Sequence, residues 1–150
     1  MQHTKRKIIK GATALLALTS LPLKLLAAAW PQKTFSATAA GDAMVAYLGT
    51  EATTPSDHID LKLPQIAENG AVVPIVIETT LKNVESIGIV VRDNPRPMAA
   101  TFEIPTGTLP KIATRIKMGQ TSEVVALVKT SNGIYSATRE VKVTIGGCGG

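Results

Sequence analysis

Seven short runs rich in valine, isoleucine and threonine follow one helical segment and are separated by turn residues. They predict an all-β fold, an immunoglobulin-like antiparallel β-sandwich with a short N-terminal helix. The single cysteine and single tryptophan rule out the Cys…Trp…Cys pattern of antibody domains. The chain ends Gly146-Gly147-Cys148-Gly149-Gly150, so the last strand is expected to run out into a flexible glycine arm.

Taken in order, Trp30 to Thr34 reads as a short leader and Phe35 to Leu48 as a helix. Met44, Tyr47 and Leu48 fall at i, i+3 and i+4, with Ala40 and Ala43 on the same side. Ser36 or Thr38 is placed to cap the start and Gly49 follows the end, while Gly41 counts against the helix. Thr50 to Ser56, with Pro55, reads as a loop. His58 to Leu63 then alternates, Ile59, Leu61 and Leu63 on one face and His58, Asp60 and Lys62 on the other, until Pro64 ends the run. Ala71 to Thr79 and Val84 to Arg92 are the next strands, and Asn94-Pro95-Arg96-Pro97 is a hard break. Met98 to Ile104, Ile112 to Lys117, Ser122 to Lys129 and Ile134 to Ile145 complete the set. Ser131-Asn132-Gly133 predicts a tight hairpin, because Asn-Gly accepts the positive φ angles of a type I′ turn. Val141, Val143 and Ile145 alternate with Lys142 and Thr144, which keeps the last strand in its sheet up to Ile145. From there three residues reach ~10 Å, enough to carry Cys148 beyond the domain edge.

The first 29 residues read as an export signal. Lys5, Arg6, Lys7 and Lys10 precede an apolar stretch, and Ala27-Ala28-Ala29 before Trp30 fits an A-x-A cleavage site. The apolar stretch is shorter than the ~20 residues of a spanning helix and is interrupted by Pro22 and Lys24. Thr4-Lys5-Arg6-Lys7-Ile8-Ile9-Lys10 resembles a twin-arginine signal, with Lys5 in place of the first arginine. The expected organisation is a signal at 1–29, a sandwich domain at 30–145 and an arm at 146–150. The signal holds five of the 16 basic residues and none of the 11 acidic ones, so the remainder carries 11 of each and is formally neutral. No patch for nucleic acid or an anionic membrane is implied once the signal is removed.

A single cysteine in an exported chain excludes an internal disulfide and leaves an intermolecular one or a free reactive thiol. After signal removal His58 is the one histidine, so no Ser-His-Asp or Cys-His pair forms except through it. It reads as a solvated surface residue. Cys148, His58, Met98 and Met118 make only a weak copper-like set, and no glycine-rich phosphate loop joins a strand to a helix. No metal site, no cofactor and no catalytic residue is assigned. Cys148 stands third from the end, which excludes prenylation, and its four glycines offer nothing to pack against. A thiol that carries a substrate fits the setting best. Gly146, Gly147, Gly149 and Gly150 remove bulk and add rotational freedom, so several active sites can admit one thiol. Their successive N–H groups are also able to form an anion-binding nest.

The tail from Val141 to Gly150 resembles the C-terminus of the SoxY family of thiosulfate-oxidation carriers. So do Ala67-Glu68-Asn69-Gly70-Ala71-Val72-Val73-Pro74-Ile75, Asn94-Pro95-Arg96-Pro97-Met98-Ala99-Ala100-Thr101-Phe102 and Thr114-Arg115-Ile116-Lys117-Met118-Gly119-Gln120-Thr121. The resemblance implies a heterodimer with SoxZ, exported to the periplasm by the twin-arginine route. It implies Cys148 as the covalent attachment point on an arm of Gly146, Gly147, Gly149 and Gly150. SoxAX would couple thiosulfate to the thiol, SoxB would hydrolyse the terminal sulfonate, and in some organisms SoxCD would oxidise the remaining sulfur. Two other readings compete: a sulfur donor with a thiocarboxylate at Gly149-Gly150, and a structural secreted sandwich cross-linked through Cys148.

Overall fold

Two sheets face each other across one apolar core, and the strand runs of the sequence supply both. The computed structural model describes residues 30–144. From Pro31 onward the chain packs as one unit. Nine strands occur among the described residues: β1 (Thr54–Pro55), β2 (Ile59–Lys62), β3 (Ile66–Ala67), β4 (Val73–Thr79), β5 (Val84–Val91), β6 (Met98–Glu103), β7 (Lys111–Ile116), β8 (Ser122–Thr130) and β9 (Gly133–Val143). The larger sheet runs β1-β9-β8-β5-β6, with β3 also paired to β9, and the smaller runs β2-β4-β7.

Alternation decides which side chains enter the core. In β2, Ile59 and Leu61 are buried while Asp60 and Lys62 are exposed, as the sequence predicts. They meet Ile75 and Ile77 of β4, Ile87, Ile89 and Val91 of β5, Val124, Ala126 and Val128 of β8, and Val141 of β9. Each valine, isoleucine or leucine among them contributes about 1.5–3 kcal/mol by leaving water. β5 and β8 depart from simple alternation because both of their faces are covered. Their second face carries Val90, Val125 and Leu127, which with Met98 pack against Ala43 and Met44 of the N-terminal helical segment.

That segment is not one helix. It is α1 (Gln32–Ser36) and α2 (Ala40–Leu48), separated by Ala37 and Ala39 in extended conformation. The predicted leader is therefore partly helical, and neither Ser36 nor Thr38 caps α2, whose N-cap is Ala39 with no side-chain cap. The break has a partner that the local sequence does not reveal: Arg96, from the β5–β6 turn, donates to the Ser36 carbonyl left open at the end of α1. The expected apolar side is correct. Met44 is buried, and Ala40, Tyr47 and Leu48 pack against the same cluster. Gly49 ends α2 at φ 81°, with its N–H on the Val45 carbonyl. The Tyr47 ring lies over Gly88, where a Cβ would come within 2.6 Å of it, and its hydroxyl donates to Ser86 at 2.8 Å.

Two further expectations are corrected. The loop at 50–56 contains β1, which pairs in parallel with β9, and β3 was too short to carry a strand signal. The β8–β9 hairpin is tight, but it is not a type I′ Asn-Gly turn. Thr130 pairs with Gly133, so Ser131 and Asn132 form the loop, and neither takes a positive φ; Gly133 does, at 154°. The Thr130 side chain closes the turn instead, accepting from the Asn132 N–H and donating to the Gly133 carbonyl.

Candidate functional site

β9 is the last described strand and Cys148 follows it in sequence, so the candidate site is built around the end of β9, the exit of the described chain. β9 lies between partners on both edges. One edge pairs with β8 from Gly133 to Val141. The other pairs with β1 near its start and with β3 at its end, Ile66 opposite Lys142 and Ala67 opposite Val143. The Lys142 N–H donates to the Gln65 carbonyl and the Thr144 N–H to the Ala67 carbonyl, at 3.0 and 3.1 Å. The backbone is thus fixed through Thr144. Cys148, Gly146, Gly147, Gly149 and Gly150 lie outside the described residues, as does Ile145. Cys148 is four residues past Thr144, a reach of at most about 14 Å.

Four loops and strand ends meet at this exit. The Asn94 side chain donates to the Lys117 carbonyl at 2.7 Å and accepts from the Gly119 N–H at 2.9 Å. The Met118 N–H donates to the Gly70 carbonyl at 2.7 Å. The Val143 N–H donates to Thr121 Oγ1 at 3.0 Å. Gly70 sits where nothing larger fits: a Cβ there would lie 2.3 Å from the Met118 carbonyl oxygen and 2.9 Å from Val143 Cγ1. These bonds join the stretches 67–75, 94–102, 114–121 and 141–144, the parts that carry the sequence resemblance, into one closed end. Sequence order does not reveal this convergence, since the stretches are separated along the chain by strands that run to the far end and back.

A groove of about 510 Å³ opens beside the exit between the edge strands β6 and β7. Arg96, Arg115 and Lys117 line it with Ala99, Ala100 and Ile116, and no carboxylate does. A larger hollow of about 930 Å³ lies at the opposite end and is lined by Glu78, Glu85 and Glu103 as well as Lys82. The formal neutrality of residues 30–150 therefore does not show that three cations line this groove without a carboxylate.

His58 stands at that far end, exposed, with Nδ1 3.2 Å from Thr80 Oγ1. It agrees with the solvated reading. Met118 belongs to the sandwich core and Met98 to the cluster under α2, so the weak copper-like set does not assemble among the described residues. No group of three or more His, Cys, Asp or Glu is placed to hold a metal among them. No described helix is long and apolar enough to cross a membrane.

A family profile matches residues 44–148, almost the whole sandwich and the arm as far as the cysteine; its description is "Sulfur oxidation protein SoxY". The chain belongs to the SoxY family. Among solved structures, the sulfur carrier protein SoxY from Chlorobium limicola f thiosulfatophilum is 38% identical, with a TM-score of 0.63, over 69% of this chain and 94% of that one. The superoxide reductase (neelaredoxin) from Ignicoccus hospitalis T24K shares the fold at 14% identity and a TM-score of 0.52, over 70% of this chain and 90% of that one. Comparison with curated proteins gives no significant match.

Proposed function

We propose that this chain is an exported, periplasmic carrier that holds thiosulfate-derived sulfur covalently on Cys148 and presents it to separate enzymes. The observation that carries the reading is the SoxY family match running through residue 148, over a strand tied on both edges up to Thr144. The known neighbour's printed role, sulfur carrier protein, agrees with it. A covalent tether suits thiosulfate, a small soluble dianion, because it keeps intermediates from diffusing away and raises their concentration at each active site.

The Cys148 thiol and thiosulfate form one S–S bond, giving Cys–S–S–SO₃⁻ with loss of one proton and two electrons. The electrons go to a c-type cytochrome enzyme of the SoxAX kind. Water then attacks the terminal sulfonate, the S–S(sulfonate) bond breaks, and sulfate and two protons leave while the persulfide anion stays on the arm. A SoxB-like hydrolase performs this step, and a SoxCD-like dehydrogenase consumes the persulfide where one is present. SoxZ is the proposed heterodimer partner. The carrier needs no cofactor of its own, and the catalysis belongs to the visiting enzymes.

Intact mass of the periplasmic protein from cells grown on thiosulfate, with and without reductant, tests the reading. Reductant-removable additions of sulfonate or sulfur, mapped to Cys148 and lost in Cys148→Ser, are expected. An addition on the Gly150 carboxylate, or only a disulfide-linked dimer, would replace it with one of the competing readings.

A further inference from the structure

None of the three cations of the groove is in an ion pair among the described residues. Four ion pairs occur among the described residues: Lys62 with Asp60, Arg92 with Glu123, Lys111 with Glu78, and Lys129 with Glu85. Lys111 and Arg115 lie on the same outward face of β7. Lys111 stands opposite Glu78 of β4 and pairs with it, whereas Arg115 stands opposite Pro74, which offers no charge. Lys117 follows the strand, is exposed, and has no carboxylate within ion-pair distance among the described residues. Arg96 enters from the facing turn, its guanidinium already on the Ser36 carbonyl. Asn94 holds this turn to the Lys117–Gly119 segment, so the spacing of the cations is set by direct hydrogen bonds.

The groove is also placed next to the root of the arm. The Met118 carbonyl, between Lys117 and Gly119, and the Val143 side chain lie within 2.3 and 2.9 Å of the same point above Gly70. Cys148 is five residues past Val143 and is therefore tethered within about 18 Å of a residue that borders this wall. Thiosulfate, sulfonate and sulfate are all anions, and every form of the proposed cargo except the bare thiol carries negative charge.

We infer that the groove of Arg96, Arg115 and Lys117 is an electrostatic receptor for sulfur oxyanions, which gathers them beside Cys148 before and after loading. The identity of the anion rests on the carrier reading; the receptor itself does not. Three cations acting on a dianion at about the Debye distance raise its local concentration roughly fivefold at ~0.1 M ionic strength, and the effect fades as salt rises.

The test uses the whole protein with its tail and two thiol reagents, dianionic 5,5′-dithiobis(2-nitrobenzoate) and neutral 2,2′-dithiodipyridine. The ratio of their second-order rates at Cys148 cancels any change in thiolate fraction. The expected result is a ratio several-fold lower in Arg115→Gln/Lys117→Gln than in the parent at low salt, with the two converging at 1 M salt. Both residues are exposed, so the variant keeps its fold, and an unchanged thermal midpoint verifies it. A second arm titrates the amide signals of Lys117 and Gly119 with sodium thiosulfate against sodium chloride at equal ionic strength; shifts confined to thiosulfate, and absent in the variant, are expected. An unchanged rate ratio, or equal shifts with chloride, overturns the receptor. Adducts found in cells together with an unchanged ratio would sink the receptor and leave the carrier, and the reverse pattern would sink the carrier alone.

Discussion

Replacing Gly70 with alanine tests whether the closed end at the arm exit is as tight as its geometry requires. The new Cβ would meet the Met118 carbonyl oxygen at 2.3 Å and Val143 Cγ1 at 2.9 Å. Backbone must move to relieve the first contact, because a carbonyl oxygen cannot rotate away as a long side chain does. The same pair is locked by the Met118 N–H on the Gly70 carbonyl at 2.7 Å, so the movement strains or breaks that bond. Overpacking of this kind costs about 1–3 kcal/mol, and the weakened hydrogen bond adds about 0.5–1.5 kcal/mol. For a domain of this size a loss of ~2–3 kcal/mol lowers the melting temperature by roughly 6–15 °C. Calorimetry and urea unfolding measure it, with a lower midpoint and an unchanged m-value expected. Gly119→Ala is the control, since its nearest atom, Asn94 Oδ1, would be 3.7 Å away. A Gly70→Ala protein melting within 2 °C of the parent would refute the packing argument for the exit.

Other outcomes follow from single side chains. Tyr47→Phe removes the donor to Ser86, which is 3% exposed, and should cost about 1 kcal/mol in urea unfolding. Burial holds the Tyr47 hydroxyl above its ordinary pKa of 10.0, the Ser86 hydrogen bond offsetting part of this and the Glu103 charge adding to it. The folded state thus favours the neutral phenol, so this contribution is full below pH 10 and is lost as pH rises through the higher folded value. The parent should lose stability above pH 10 more steeply than Tyr47→Phe. Leu127→Ala, fully buried under α2, should cost about 2–5 kcal/mol, whereas Leu109→Ala, 68% exposed, should stay within ~0.5 kcal/mol. His58→Ala should leave the mass of sulfur adducts on Cys148 unchanged, because His58 stands at the far end against Thr80.

Much of this was legible in the sequence where one rule acted alone. β2 reads from alternation because one face is wet, and α2 reads from helical spacing with a glycine stop. β5 and β8 read as apolar runs, but nothing local says that their second face is covered by helices from the opposite terminus. The break at Ala37–Ala39 escaped because alanine favours helix and the side chain that satisfies Ser36 comes from Arg96, sixty residues away. β1 and β3 are two residues each, too short for any period, and exist because β9 offers them a free edge. The Gly-Gly-Cys-Gly-Gly ending is plain in the residues themselves and lies outside the described part of the chain. The cationic groove is not, since 96, 115 and 117 meet only when β6 and β7 border the same opening, and the balanced charge of residues 30–150 gives no hint of them.

The double pairing of β9 has a mechanical consequence. For a force applied along the axis of β9, the hydrogen bonds to β8, β1 and β3 lie across its direction. They are loaded in shear, all together, rather than peeled apart one by one as at a strand pulled sideways. A pull on the chain beyond Thr144 is therefore spread over the length of β9 and into the core beneath Val141, and in the proposed carrier this would let the tail be drawn on repeatedly without unravelling the sandwich.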